Sequence, residues 1–514
     1  MQKINLSLLA IVLIASFTIT TGCKPTADDA PATPEDPTTE APAEPEPTEP
    51  PPAEPVPAIP STMQGEDTDP TTPEVTPAEP AIGEPVPTEP VPTPPTASEP
   101  TADVPVNREP IPLAAPTEND WPWWRGIRFD GYASPGQNPP TKWSETENVR
   151  WSIDLPGLGH GTPCIWGDRI YLASADEDAE TITMYCHDRE TGEPVWQKQL
   201  HQGTFDRMHK DNSHATATPA CDGESIFYCF QSDEKTWATA QDMKTGEIRW
   251  KKDFSPFGTV HGYASSPVIY KSTVIVVSDS RAESYLVAFD RHTGEVVWKT
   301  LRPDEYQNFV SPIVLHVAGR DQLLLTGPYN TYSYDPDTGK MIWKCEGPTT
   351  VAAATPTVSE DTVYTSAGYP DRILMAIRAD GTGDVTETHR LWMRGGRGDD
   401  FRRSAYVPSP LLHEGLLYIV IDEGILRCHD SETGDMIWEY RFEEPFYSSP
   451  VLVDDRIYLF DREGSGFIFR PGRERELIAE NHLPDGAFAT PVFLGDDMYL
   501  RTLKKLYRIG TTAP

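Results

Sequence analysis

Three of the 12 histidines, His160, His214 and His261, fall a few residues ahead of a Ser-Pro or Thr-Pro pair, and Arg402, Arg403 and Tyr406 stand ahead of another. Imidazole, guanidinium and phenol groups gathered around one opening would suit an anionic ligand, a carbohydrate or the edge of a peptide. Three imidazoles could also converge on a metal, but nothing in their spacing enforces bonds of about 2 Å, so no metal ligand is assigned. No pair of carboxylates at a defined spacing marks a glycoside hydrolase, and no residue is assigned a catalytic role. Cys164, Cys186, Cys221, Cys229, Cys345 and Cys428 include no Cys-x-x-Cys to hold zinc or c-type haem; they read as buried thiols, with any pairing left open. Arg390, Arg394, Arg397, Arg402 and Arg403 form a local basic run, read either as part of the opening or as a solvated loop offset by Asp399 and Asp400.

The elements that would position these groups are legible as a repeat. An eleven-residue phrase, Cys-His-Asp-Arg-Glu-Thr-Gly-Glu-Pro-Val-Trp, ends at Trp196, with counterparts ending at Trp250, Trp298, Trp343 and Trp438. Each copy has a small first residue (Cys186, Ala240, Ala288, Ser333, Cys428), an aspartate at the third position (Asp188, Asp242, Asp290, Asp335, Asp430), and Thr-Gly before the tryptophan. A sixth copy, ending at Trp392, has Arg378 in place of the aspartate and a longer turn. Aspartate can accept the backbone N–H groups of a turn and glycine supplies the positive φ that reverses the chain, so each phrase reads as a β-hairpin. Upstream of each stands a second hairpin, such as Thr-Pro-Cys-Ile-Trp-Gly-Asp-Arg-Ile-Tyr-Leu from Thr162. Two hairpins in series make a four-stranded antiparallel blade, and a tryptophan step of about 48 residues suits propeller blades.

Counting the Ser/Thr-Pro openings near Thr162, Thr218, Ser265, Ser311, Thr355, Ser409, Ser449 and Thr490 gives eight blades. The last lacks a fourth strand, and a lone strand at 148–155 lacks a blade. The expected fold is therefore all-β: an eight-bladed propeller over 148–510, closed by its N-terminal strand, with an extension at 117–147 packing on it and a tail at 511–514. In this register the loops ahead of each Ser/Thr-Pro share one end of the central channel, so His160, His214, His261, Arg402, Arg403 and Tyr406 should line a common mouth.

The phrase Ala-x-Asp-x-x-Thr-Gly-x-x-x-Trp resembles the signature of pyrroloquinoline-quinone-type propeller repeats. They are shared by eight-bladed quinoprotein dehydrogenases and by BamB-like outer-membrane lipoproteins, and the resemblance covers about residues 120–510. For a quinoprotein it would imply pyrroloquinoline quinone and calcium in the central funnel beside two adjacent cysteines. No Cys-Cys pair occurs here, so no cofactor is assigned. The repeated residues are those that hold blades together, and so the resemblance speaks for the fold more than for an activity.

The 514 residues carry 43 basic against 79 acidic side chains, a formal net charge of −36, and both parts of the chain are acidic: −16 up to residue 116 and −20 beyond it. Nucleic acid binding is excluded on that ground, because phosphate contacts need a basic face. All 13 tryptophans lie beyond residue 120, whereas 28 of the 53 prolines come before residue 117. Residues 1–22 have the charge, apolar run and small-residue order of a lipoprotein signal, with Gly22-Cys23 at the cleavage point and Cys23 as the lipidated residue. Residues 23–116 repeat Pro, Glu, Thr and Ala and are expected to form a disordered, extended spacer. The sum is an exported, monomeric propeller held on a membrane of the cell envelope by a lipid on Cys23, binding a protein or carbohydrate at its mouth without catalysis. A quinone-dependent oxidoreductase acting on alcohols or sugars is the alternative, and a polysaccharide-binding or polysaccharide-cleaving propeller is another.

Overall fold

The computed structural model describes residues 113–511 except 260, 282, 303–306, 349, 370 and 397–403. The signal, Cys23, the spacer up to residue 112, Arg402 and Arg403, and residues 512–514 lie outside the described residues.

Eight antiparallel sheets follow one another along the chain, and a single four-residue helix, Thr386–His389, is the only α-helix among the described residues. Blade 1 shows the plan. A short inner strand β2 (Cys164–Trp166) is followed by β3 (Arg169–Asp176), β4 (Thr181–Asp188) and the outer β5 (Pro194–Gln202), paired in that order. Burial grades across a blade. The second strands Ser225–Ser232, Thr273–Ser278 and Leu416–Ile421 are buried at every residue, because both faces meet neighbouring blades. Outer strands alternate instead; β1 (Val149–Asp154) is half-buried and exposed by turns.

The ring closes as the orphan strand requires. β1 pairs with Lys505–Gly510, with Ser152 opposite Tyr507 and Ile153 opposite Leu506, and so becomes the outer strand of blade 8. Arg150 Nε donates to Asp497 Oδ1 (2.7 Å) across the same seam.

The repeated phrase proves to be the joint between blades. The aspartate closes its turn: Asp188 Oδ1 accepts the backbone N–H groups of Glu190 and Thr191, both at 3.0 Å, and Asp242 does the same for Lys244 and Thr245. The small first residue stands directly opposite the tryptophan on the outer strand, in the pairs Cys186–Trp196, Ala240–Trp250, Ala288–Trp298, Ser333–Trp343, Ala376–Trp392 and Cys428–Trp438. Each of these pairs is followed by a β-bulge. The indole then reaches forward to the next blade. Trp196 Nε1 donates to the Met243 carbonyl (3.2 Å), Trp250 to Arg291 (2.9 Å), Trp298 to Pro336 (3.1 Å) and Trp392 to Ser431 (3.0 Å). The phrase glycine of that next blade lies flat on the indole at positive φ: a Cβ on Gly246 or Gly294 would sit 2.6 Å from the ring of Trp196 or Trp250.

Blade 5 departs from the phrase, and its longer turn has a use. Gly383–Asp384 pairs in parallel with the outer strand of blade 4, making that sheet five-stranded and covering its edge. Trp343, with no phrase glycine ahead of it, donates instead to Gln322 Oε1 (2.8 Å) in its own blade.

Residues 113–148 strap across one end of the channel. Trp121 exchanges backbone hydrogen bonds with Ile165 (2.8 and 2.9 Å), the Pro122 carbonyl accepts from Cys221 N (2.8 Å), and Arg125 Nη2 donates to the Pro410 carbonyl (2.7 Å). These partners all follow the Ser or Thr of an inner strand, whereas the loops of the expected mouth precede it. The strap and the mouth therefore occupy opposite ends of the channel.

Candidate functional site

Each inner strand opens with a hydroxyl: Thr162, Thr218, Ser266, Ser311, Thr355, Ser409, Ser449 and Thr490. In blade 3 the ring position is Ser266, not its neighbour Ser265, whose Oγ instead donates to the Val310 carbonyl (3.0 Å). At six of the eight junctions the backbone N–H of one blade's residue donates to the hydroxyl oxygen of the next, from Thr162 to Thr218 (3.1 Å) and onward at 2.9–3.0 Å. The two other junctions reverse the sense, with Thr162 Oγ1 donating to the Thr490 carbonyl (3.2 Å) and Thr355 Oγ1 to that of Ser311 (3.3 Å). The result is a girdle of hydroxyls around the channel. Trp124 of the strap closes its floor, its Nε1 donating to Thr355 Oγ1 (3.0 Å).

Above the girdle lies a cavity of about 260 Å³, lined by seven of these hydroxyls, Trp124 and a rim of rings and polar groups. The inner-strand register brings His160, His261 and Tyr406 to this rim. His160 stacks on Phe488, ring centroids 4.4 Å apart. Burial, reinforced by the cations of Arg501 and Arg462, pushes its pKa down to about 3, so it is neutral at physiological pH. His261 meets Phe309 edge-on at 5.8 Å and His209 at 5.7 Å; burial, His209 and Arg281 lower its pKa. Tyr406 is anchored by its backbone N–H on Asp422 Oδ1 (3.1 Å), and its ring lies against Gly368, where no side chain would fit. Burial and the Asp422 carboxylate raise the phenol pKa.

His214 is a correction to the expected mouth. It does not line the cavity: its ring stacks on Phe205 at 4.0 Å, Nδ1 meets the Glu177 carboxylate at 3.0 Å, and Nε2 meets the Asp206 carbonyl at 2.9 Å. With both ring nitrogens partnered, one by Asp206 of its own loop and the other by Glu177 of a neighbouring turn, it is held away from the channel. Arg402 and Arg403 fall outside the described residues.

Arg462 completes the rim and was not singled out from the sequence. Its Nη2 donates to Asp211 Oδ1 (2.8 Å) across the mouth, and its guanidinium lies 4.7 Å over Tyr447 and 4.9 Å over Phe488. It stands in the turn between the second and third strands of blade 7. Since strands alternate direction, that turn lies at the same end as the loop entering the inner strand. Reading both sets of turns, rather than only the loops before Ser/Thr-Pro, finds Arg462.

An all-β ring of eight four-stranded blades with tryptophan-docked hairpins defines an eight-bladed propeller of pyrroloquinoline-quinone-type repeats. A family model described as outer membrane protein assembly factor BamB matches residues 178–398 and 384–470, more than half of the chain, and the chain belongs to that family. Among solved structures, BamB from Moraxella catarrhalis has a TM-score of 0.52 at 15% identity, covering 70% of this chain and 99% of that one. The quinohemoprotein alcohol dehydrogenase ADHIIG from Pseudomonas putida HK5 has a TM-score of 0.54 at 12% identity, covering 77% and 81%. At these identities the likeness shows the fold alone. Among curated proteins, a polyvinylalcohol dehydrogenase from Pseudomonas sp. is 24% identical over 205 residues, 37% of this chain and 30% of that protein. Another from Sphingopyxis sp. (strain 113P3) is 25% identical over 381 residues, 64% of this chain and 52% of that one. The chain thus spans about a third to a half of the length of these relatives.

Proposed function

We propose that the protein is an exported propeller, anchored in the cell envelope through a lipid on Cys23, that binds a ligand at the mouth of its channel and performs no chemistry on it. The observation that carries this reading is the composition of the cavity. It is concave and ringed by aromatic and hydroxyl groups, and the described residues hold no activated nucleophile there. No side chain among the described residues hydrogen-bonds the His160 imidazole, so no partner is in place there to hand it a proton or take one from it. Asp211, the one carboxylate among the described lining residues, is tied to Arg462, which leaves no acid and base pair for glycoside cleavage. Membership in a family described by an outer-membrane assembly factor favours the envelope location.

The names of the curated relatives favour a quinone-dependent oxidoreductase as the second reading, and its requirements can be compared with this chain. In quinoproteins, acidic and amide side chains of the funnel hold calcium beside adjacent cysteines. Here Asp211 is ion-paired, and Asn212 donates from Nδ2 to the His261 carbonyl (2.7 Å) while its Oδ1 accepts from Thr216. None of the described cysteines lines the cavity, and burial pushes the Cys186 thiol up to about 12, with Cys428 the same. The described residues do not fit quinone and calcium, and binding remains the reading.

A thermal-shift screen with neutral, anionic and cationic small molecules tests it. Wild type should give hits that are lost in Tyr447→Leu; hits that all persist would put binding elsewhere. For the anchor, a palmitate analogue should label wild type and not Cys23→Ser, and equal labelling of both would contradict it.

A further inference from the structure

In the girdle, Thr218, Ser266, Ser311, Ser449 and Thr490 each use the hydroxyl oxygen to accept a backbone N–H from the preceding blade. Among the described residues none of the five donates its own hydroxyl hydrogen onward. Thr162 and Thr355, by contrast, donate to carbonyls. A hydroxyl that has accepted one hydrogen bond keeps one donor and one lone pair. All five line the cavity, so the channel presents a circle of hydroxyls that can each still donate and accept.

Ser409 accepts in the same way, from Thr355, and stands outside the cavity lining. The other five are buried to within 6% exposure and border one cavity, where a bound molecule can take the remaining hydrogens.

Charge decides what kind of partner. The Arg462 cation is neutralised by Asp211 at 2.8 Å, and His160 is held neutral by burial and its cationic neighbours. The described rim therefore offers neither an unpaired cation to an anion nor an unpaired anion to a cation, and the chain's net charge of −36 repels anions at long range. Phe488, Tyr447, Trp124 and His261 complete the wall. Aromatic rings beside rotatable hydroxyls match a molecule with C–H faces and an equatorial fringe of O–H groups. At about 260 Å³ the space is a little below the ~300–1,000 Å³ of drug-sized sites, room for one or two small rings.

We infer that the mouth binds a neutral polyhydroxylated molecule, a sugar or polyol of mono- to disaccharide size, with its hydroxyls on the girdle and a C–H face on Phe488 and Tyr447. This rests on the mouth being the binding surface.

The test titrates the full-length protein by calorimetry with glucose, cellobiose, maltose, chitobiose and a short poly(vinyl alcohol) as neutral probes, and with inorganic phosphate and citrate as anions. At least one neutral probe should saturate with a Kd that changes less than about twofold between low and high salt, because no charge pair forms. Phe488→Ala and, separately, Tyr447→Leu should each weaken it by about tenfold, the scale of a lost ring contact. The second variant guards against a folding defect in the first. Saturable phosphate or citrate binding that weakens with salt and is lost in Tyr447→Leu would overturn the neutral-ligand inference while leaving the mouth as the binding surface. Neutral probes that bind equally to wild type and both variants would overturn both. If no neutral probe binds up to about 50 mM, weaker than the millimolar range of weak specific sites, the inference also fails.

Discussion

His160 and His214 carry the same side chain into surroundings of opposite sign. Burial, Arg501 and Arg462 hold His160 near pKa 3, below its unfolded value, so the unfolded chain takes up the proton first as pH falls. The folded state therefore loses stability relative to a variant without the group from about pH 6.5 downward. At His214 burial also lowers the pKa, but the Glu177 carboxylate and the Asp206 carbonyl outweigh it and raise the value. That contribution is fully present below about pH 6.5 and is lost as pH rises through the raised folded pKa. Melting temperatures against pH should show wild type losing stability relative to His160→Phe between about pH 6 and 4. The advantage of wild type over Glu177→Gln should be larger at about pH 5.5 than at about 8.5. Parallel curves in either comparison would contradict the stated electrostatics. The sequence announced both residues by the same loop position and could not separate them. What parts them is the carboxylate of Glu177, which lies in a different turn of blade 1 and is brought to His214 only by the fold.

At the scale of the element, the phrase was legible as a hairpin because aspartate and glycine have local reasons to be there. Its other half was not, because the indole acts on the next blade and its glycine is shaped by the previous one. The small first residue likewise has no local explanation; it is small because a tryptophan stands opposite in register. Blade 7, with no copy of the phrase, reverses the sizes and sets Ile468 against Ala479. Gly294 shows what the joint demands, with φ +66 and a hypothetical Cβ 2.6 Å from Trp250. Gly294→Ala should cost about 2–4 kcal/mol, since it combines backbone strain with overpacking. Gly319→Ala, at φ +77 with open space around it, should cost only the strain, about 1–2 kcal/mol. Chemical denaturation of the two variants measures the difference. Equal losses would mean that the indole contact contributes nothing.

For the molecule as a whole, blade number and closure by the N-terminal strand followed from counting Ser/Thr-Pro openings and one orphan strand. The two ends of the channel differ for reasons that counting does not reach. Residues 113–148 strap one end and place Trp124 as a floor, and the cavity ringed by the girdle hydroxyls opens at the other. The hydroxyl circle was likewise present in the sequence as eight punctuation marks, but its donors and acceptors are defined only when the blades meet. The central claim is that this cavity is a neutral binding site with no redox role. Equilibrium dialysis of full-length protein against pyrroloquinoline quinone with calcium, in parallel with the neutral sugar that titrates best, tests it most directly. The account predicts about one sugar retained per chain, lost in Tyr447→Leu, with no quinone retained and no reduction of an electron-accepting dye by added alcohols. Stoichiometric quinone retention that is lost in Tyr447→Leu and supports alcohol-dependent dye reduction would contradict it.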